Sequence, residues 1–284
     1  MNNGGSSENQ DTSGYAPELR NKQIIDSHLH LALVIRNHPG RISWMSAHGV
    51  LPISWAFCPG VKDRSGLVNC LTAQAELVRD LNRTGLKCFY LAGIHPRSIP
   101  PDLTTGEVAD ILMPYLEDPL CLGMSEIGLE TGLDVETGML RAQLALSESL
   151  IAMDKRIGIH TPRKNKAAVT RLTLAVLDEF PKVGPITVID HCTTETIDRV
   201  LEGGYRAGIT LSPVKMSIDD LQRIVVRQAG QLDAERLARI MCNTDSGVMF
   251  YEDLVDFYGD ISFPVDQRNG LAFQNAFDFF HPPE

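Results

Sequence analysis

The chain has 284 residues, 43% hydrophobic and 22% charged, a composition that excludes wholesale disorder and collagen-like repeats and admits one large domain or two small ones. Lys and Arg number 26 against 36 Asp and Glu, a net charge of −10 with a pI near 5.3. That balance disfavours sequence-independent gripping of long nucleic acid by a broad basic face, and leaves small or locally held anions open.

Residues 1–22 are rich in Gly, Ser, Asn, Gln and Asp and almost free of large apolar side chains; they predict a flexible N-terminal tail, because nothing there repays ordering entropy by burial. From residue 23 to 284 a single domain is expected. Short β-prone stretches lie at 23–28, 52–57, 87–94, 120–125, 157–160, 187–191, 207–211 and 240–244, and the clearest helical spacings between and after them fall at 70–83, 136–153, 165–180, 194–202, 218–228 and 269–280. Regular alternation with short connections predicts parallel strands and right-handed crossovers, for which a closed (βα)8 TIM barrel is the economical α/β solution. An open doubly wound sheet is the runner-up, but no GxGxxG follows the first strand.

Cys58, Cys70, Cys88, Cys121, Cys192 and Cys242 form no CxxC pair, so neither a small structural zinc site nor a disulfide framework is indicated, and a reducing, cytoplasmic setting is expected. No basic-then-apolar leader opens the chain and no apolar run approaches the ~18 residues that span a bilayer, so no membrane partner is expected. Cys88, Cys121, Cys192 and Cys242 read as small buried hydrophobes. Cys58 lies nearer a strand end but has no paired base to make it a nucleophile.

In such a barrel the functional residues gather at the C-terminal ends of the strands. Those ends read HLH (His28 to His30), WAFCPG, GIHPR (with His95 and Arg97), SEIGLE (with Glu126), IHTPR (with His160 and Arg163), DHC (with Asp190 and His191), LSP and NTDSG (with Asp245). Residues i and i+2 of a strand face one side, so His28 and His30 can present two imidazoles to one ion. His160 and His191 add two nitrogens, Glu126 can bridge two ions, and Asp245 can bind metal, orient water or accept its proton. Singly, each of these could be a hydrogen-bonded strand residue; jointly, in this order, they point to a metal site. Asp26 and Asp190, just before candidate ligands, are placed either to orient imidazoles or only to cap and solvate.

The pieces IDSHLH, AGIHPR, GMSEIGLE, RAQLALSESLIAMDKRIGIHTPR, VIDHC, NTDSG and NAFDFF resemble the TatD-like metal-dependent hydrolases, a branch of the amidohydrolase type of barrel, over about residues 24–280. The resemblance implies metal ligands at His28, His30, Glu126, His160, His191 and Asp245. It also implies that His95 contacts substrate or supports the ligands from behind, since it matches the histidine near the substrate phosphate. Nuclease members usually read ETDSPYL where this chain has Asn243 to Met249. With GITLSPVKMS, WAFCPGVKDRSG and TPRKNK, that departure brings the chain closer to uncharacterised predicted hydrolases of the family than to its DNases.

The chemistry so implied is hydrolysis assisted by two divalent ions, zinc, manganese or iron by the mixed imidazole and carboxylate donors, with magnesium admitted where substrate oxygens contribute. Glu126 stands where a carbamylated lysine would otherwise bridge. Arg97, Arg163, Lys164, Lys166 and Lys215 lie around the strand ends and favour a small anionic substrate, with Arg97, Arg163 and Lys215 as candidate contacts; a phosphodiester or phosphorylated small molecule fits best, a lactone or carboxylated amide next. Nucleic acid enters only as substrate, in the alternative of a TatD-type deoxyribonuclease acting as a 3′ exonuclease. A non-catalytic metal- or partner-binding barrel is the third reading, against which the intact ligand set counts. Trp44 and Trp55 read as core packing, and His38, His48 and His281 as structural or surface residues.

Overall fold

The structure, a computed structural model, describes residues 24–231 and 234–283. The tail expected at 1–22, and with it the start of the domain, lies outside the described residues. Eight parallel strands run in the order β1 (Ile24–Leu29), β2 (Val50–Trp55), β3 (Phe89–Leu91), β4 (Cys121–Gly128), β5 (Arg156–His160), β6 (Thr187–Ile189), β7 (Arg206–Thr210) and β8 (Ile240–Asn243), each paired with its neighbour in sequence. The ring closes where Asp245 N–H donates to the carbonyl of His28 at 2.9 Å and His30 N–H to that of Ser246 at 2.7 Å. This is a (βα)8 TIM barrel, as the alternation of short apolar runs and helical spacings predicts.

All eight strands fall where the sequence places them, with shifted ends: β4 runs three residues further, so Glu126 lies within the strand, and β3 keeps only three residues of its run. The helix expected at 136–153 is two, Asp134–Leu144 and Ser147–Ala152, because Leu146 N–H bonds back three residues to Gln143 and tightens the turn.

Alternation within the strands divides the core. In β2, Val50 packs outward against the helical ring, whereas Leu51, Ile53 and Trp55 fill the barrel with Ile25, Phe89, Leu91, Val188 and Met241. Phe279 and Phe280 of the last helix, Asn275–Phe280, join that inner cluster from below. Arg156 and Arg206, the first residues of β5 and β7, stand over the Phe279 ring, and Arg156 also donates to its carbonyl. Among the described residues these side chains cover the bottom of the barrel and leave the opposite mouth, where the strands end, for chemistry. No helix among the described residues is long and apolar enough to cross a membrane.

One sequence expectation is overturned. Cys58 and Cys70 are joined in a disulfide with a Cα separation of 6.0 Å, tying the exit of β2 to helix Arg64–Arg83. Their twelve-residue separation carries no pairing signal in sequence; the return of the helix beside its own preceding loop brings them together. Cys88, Cys121, Cys192 and Cys242 are free and buried, as expected.

Candidate functional site at the barrel mouth

His28 and His30 alternate with Leu29 on β1 and turn to the same side, where their rings meet edge to face at 5.1 Å. His28 is fully buried and stacks on the Trp55 indole at 4.0 Å. Trp55 can lie there because β5 carries Gly158 beneath it; a Cβ at that position would collide with the indole ring. Trp55 is therefore core, as expected, but core that supports a site residue.

Glu126 of β4 sits at the centre. Its Oε2 faces His28 Nε2 at 3.6 Å and His30 Nε2 at 3.8 Å, while its Oε1 faces His160 Nδ1 at 2.7 Å, His191 Nε2 at 3.4 Å and His95 Nε2 at 3.7 Å. Asp245 closes the first side, with Oδ1 at 3.0 Å from His30 Nε2 and 3.6 Å from His28 Nε2. Three groups of donor atoms could each hold a cation: His28 with His191 and Asp245, His28 with His30 and Glu126, and His95 with Glu126 and His160. The structure thus brings together all six side chains singled out at the strand ends and adds His95 to their company.

The donors are aimed by a surrounding set of hydrogen bonds. His28 Nδ1 contacts Asp190, His30 Nδ1 contacts the Trp55 carbonyl at 3.0 Å, and His191 Nδ1 contacts Thr210 Oγ1 at 2.8 Å. Thr210 in turn donates to Asn243 Oδ1, whose amide donates to Asp190, each at 2.9 Å. Asp190 therefore orients an imidazole, whereas Asp26 instead binds the backbone and hydroxyl of Thr244 and fastens β1 to the exit of β8. His191 (φ +56°) and Asp245 (φ +51°) hold left-handed backbone at the ends of β6 and β8, a conformation that costs a non-glycine residue of order 1 kcal/mol and clusters at functional sites.

These residues fit a cation. His28 Nε2 and His95 Nε2 are buried without a hydrogen-bond partner among the described residues and face carboxylate oxygens; such an orphaned atom is costly unless an ion or ligand takes its lone pair. Burial opposes ionisation of Glu126, yet the His95 and His28 imidazoles hold its carboxyl well below the usual range. Burial likewise opposes Asp245, and its contacts with His30 and Lys215 still hold it well below. Two buried anions then call for positive charge, which protons on the imidazoles supply in competition with metal. Against burial, Glu126 and Asp190 raise His28 to about 10, while burial and the Lys215 ammonium push His191 down to about 3.

The basic residues divide. Lys215 contacts Asp245 directly, and Arg97 and Arg163 stand exposed at the rim of a cavity of about 230 Å³ that Lys215 and Asp245 also line. Lys166 is spent on Thr161 Oγ1 and the His191 carbonyl, both at 2.9 Å, and burial lowers it to about 8. Lys164 is exposed. Glu130, which sequence reasoning passes over, accepts from His160 Nε2 at 2.9 Å and lies 3.6 Å from Arg97. His38 and His48 hold backbone carbonyls of Val248 and Trp44, and His281 meets Arg156 at the bottom, all structural as expected.

The family model described as TatD related DNase matches residues 25–249, a span that contains every residue of this centre. The chain belongs to this TatD family. A TatD-like protein of Archaeoglobus fulgidus, solved as a crystal structure, is 29% identical, with a TM-score of 0.67 over 90% of this chain and 99% of that one. An uncharacterized metal-dependent hydrolase of Methanocaldococcus jannaschii is 29% identical over 143 residues, 50% of this chain; the match spans 54% of that relative's length. A 2,6-dihydroxybenzoate decarboxylase from Rhizobium has a TM-score of 0.62 at 11% identity, covering 92% of this chain and 98% of its own, a likeness of fold alone.

Proposed function

We propose that this TatD-family chain is a metal-dependent hydrolase that uses two divalent ions, held by His28, His30, Glu126, His160, His191 and Asp245, against a phosphoester or another small anionic substrate. The observation that carries the reading is Glu126, whose two oxygens face two separate sets of imidazoles, Oε2 towards His28 and His30, Oε1 towards His160 and His191. Mixed nitrogen and carboxylate donors suit zinc, manganese or iron, with magnesium admitted where substrate oxygens complete the shell. Divalent ions in such a site supply Lewis acidity towards an ester or phosphoryl oxygen and acidify water.

The remaining work falls to the chain. Asp245, ionised and contacting both His30 and Lys215, takes the water's proton at its carboxylate. Lys215 holds that carboxylate in place and, with Arg97 and Arg163 across the same cavity, attracts and orients an anion. His95 presents a buried Nε2 beside Glu126 and contacts a substrate oxygen there. Asp190, Thr210 and Glu130 fix the His28, His191 and His160 rings, so the donors need no reorganisation when the site is filled.

The family description favours a second reading, a TatD-type 3′ exonuclease. The two readings part on substrate: metal-loaded protein is offered a single-stranded oligonucleotide and a small phosphodiester, with Asp245→Asn beside each. Cleavage of the small ester alone supports the first reading; Asp245-dependent release of nucleotides moves the assignment to the nuclease. Equal rates with the variant for both substrates overturn the hydrolase reading.

A further inference from the structure

A second, larger cavity of about 600 Å³ opens beside the candidate metal centre, between the exits of β1 and β2 and helix Arg64–Arg83. Its walls include Leu33, Phe57, Pro59, Val61 and Ala73, together with the Cys58–Cys70 disulfide. The cleft adjoins the cationic cavity: His30, Leu33 and Phe57 line both. The covalent tie between β2's exit and the helix fixes the wall in advance of any ligand, which lowers the ordering cost of binding.

The polar side chains around the cleft are mostly spoken for. Gln74 donates to the carbonyls of Ser54 and Leu91, each at 3.1 Å, and Ser54 Oγ accepts the Leu31 N–H at 3.2 Å. Asp63 accepts the Gly66 N–H at 2.7 Å as the cap of its helix, and His30 Nδ1 is held by the Trp55 carbonyl. Arg36 and Lys62 are exposed residues of the same lining. Among the described residues, Gln74, Ser54 and Asp63 of this lining are thus engaged within the fold, and a cavity of this size is typical of sites that bury small organic groups. Across the mouth, Val214, Val248 and Met249 are exposed apolar residues lining the cationic cavity itself.

We infer that the substrate is amphipathic: its anionic head sits beside Asp245, Lys215 and Arg97, and an alkyl or aryl group of the same molecule occupies the 600 Å³ cleft walled by Leu33, Phe57, Val61 and Ala73. The inference rests on the hydrolase reading for the head; the cleft adds the tail. A nucleic-acid strand asks for cations along its backbone; this slot sets the exposed Arg36 and Lys62 beside apolar and disulfide walls, which suit an alkyl or aryl group better.

The test is binding, separate from turnover. Metal-loaded full-length protein is titrated calorimetrically with n-alkylphosphonates of one, four and eight carbons, which carry one head and a graded tail. Wild-type affinity rises roughly two- to fourfold per methylene until the cleft is filled. Ala73→Trp, at an exposed helical position, and Val61→Asp, at a loop position, abolish that dependence while methylphosphonate binds as before. Affinity that is flat with chain length in wild type, or the same slope in both variants, overturns the cleft assignment. If long phosphonates bind and lose affinity in the variants while methylphosphonate does not bind at all, the cleft stands and the anionic head falls. If no member of the series binds, both fall.

Discussion

Asp190, fully buried, takes one ring nitrogen of His28 and so turns the other, Nε2, towards Glu126 and Asp245. A carboxylate behind a ligating imidazole fixes its tautomer and raises its basicity, and losing such a partner typically costs about 10–100-fold in metal affinity. Asp190→Asn is therefore predicted to bind zinc or manganese about 10–100-fold more weakly, with an unchanged far-ultraviolet spectrum. Competition with a chromophoric chelator measures it; unchanged affinity removes His28 from the ligand set.

Lys215 and His30 together hold the Asp245 carboxyl well below its usual range against the effect of burial. Removing the ammonium in Lys215→Met raises the pKa of Asp245, so the ionised base is lost at a higher pH on acidification. The acid limb of the kcat/KM profile is predicted to move to higher pH, and KM for an anionic ester to rise. A profile superimposable on wild type assigns Lys215 no part in either.

Stability at acid pH draws on a different carboxylate. Burial opposes the ionised form of Glu136, yet it accepts the N–H groups of Glu130, Thr131 and Gly132 and the Thr131 hydroxyl, which hold its carboxyl below the ordinary value. A depressed carboxyl contributes stability that is complete above its unfolded pKa of about 4.3 and is lost as pH falls through the folded value. Glu136→Gln is predicted to be less stable by about 1–2 kcal/mol at pH 7. Urea midpoints across pH should show that gap narrowing below roughly pH 4; a constant gap points to packing instead.

The Cys58–Cys70 bridge closes a short loop between β2 and the helix that follows. The double variant Cys58→Ser, Cys70→Ser is predicted to lose about 2–3 kcal/mol, the usual yield of a loop of this length. Chemical denaturation of the non-reduced protein checks it, and titration of six accessible thiols in the unfolded, unreduced chain would show that the bridge does not form.

Most of the architecture is legible in the sequence because the relevant signals are local. Short apolar runs mark the eight strands, and the i, i+2 spacing of His28 and His30 places two imidazoles on one face without any knowledge of the rest. The other candidate ligands follow from their positions at strand ends. What lies between distant strands is not legible: Thr210 reaches His191 from β7, Asn243 reaches Asp190 from β8, and Glu130 reaches His160 from the loop after β4. Thr, Asn and Glu are common in such places, and the curvature of the barrel decides which of them meet an imidazole or the carboxylate behind it. The disulfide escapes for the same reason, since its formation depends on how helix Arg64–Arg83 returns past the loop that precedes it.

The most direct test of the central claim is a titration of metal-free protein with zinc or manganese, following hydrolysis of bis(p-nitrophenyl) phosphate by wild type and by Asp245→Asn. Activity is predicted to rise to a plateau at about two equivalents of metal, with the variant slower by at least about a hundredfold. Saturation with metal and no hydrolysis, or a variant as fast as wild type, contradicts the account.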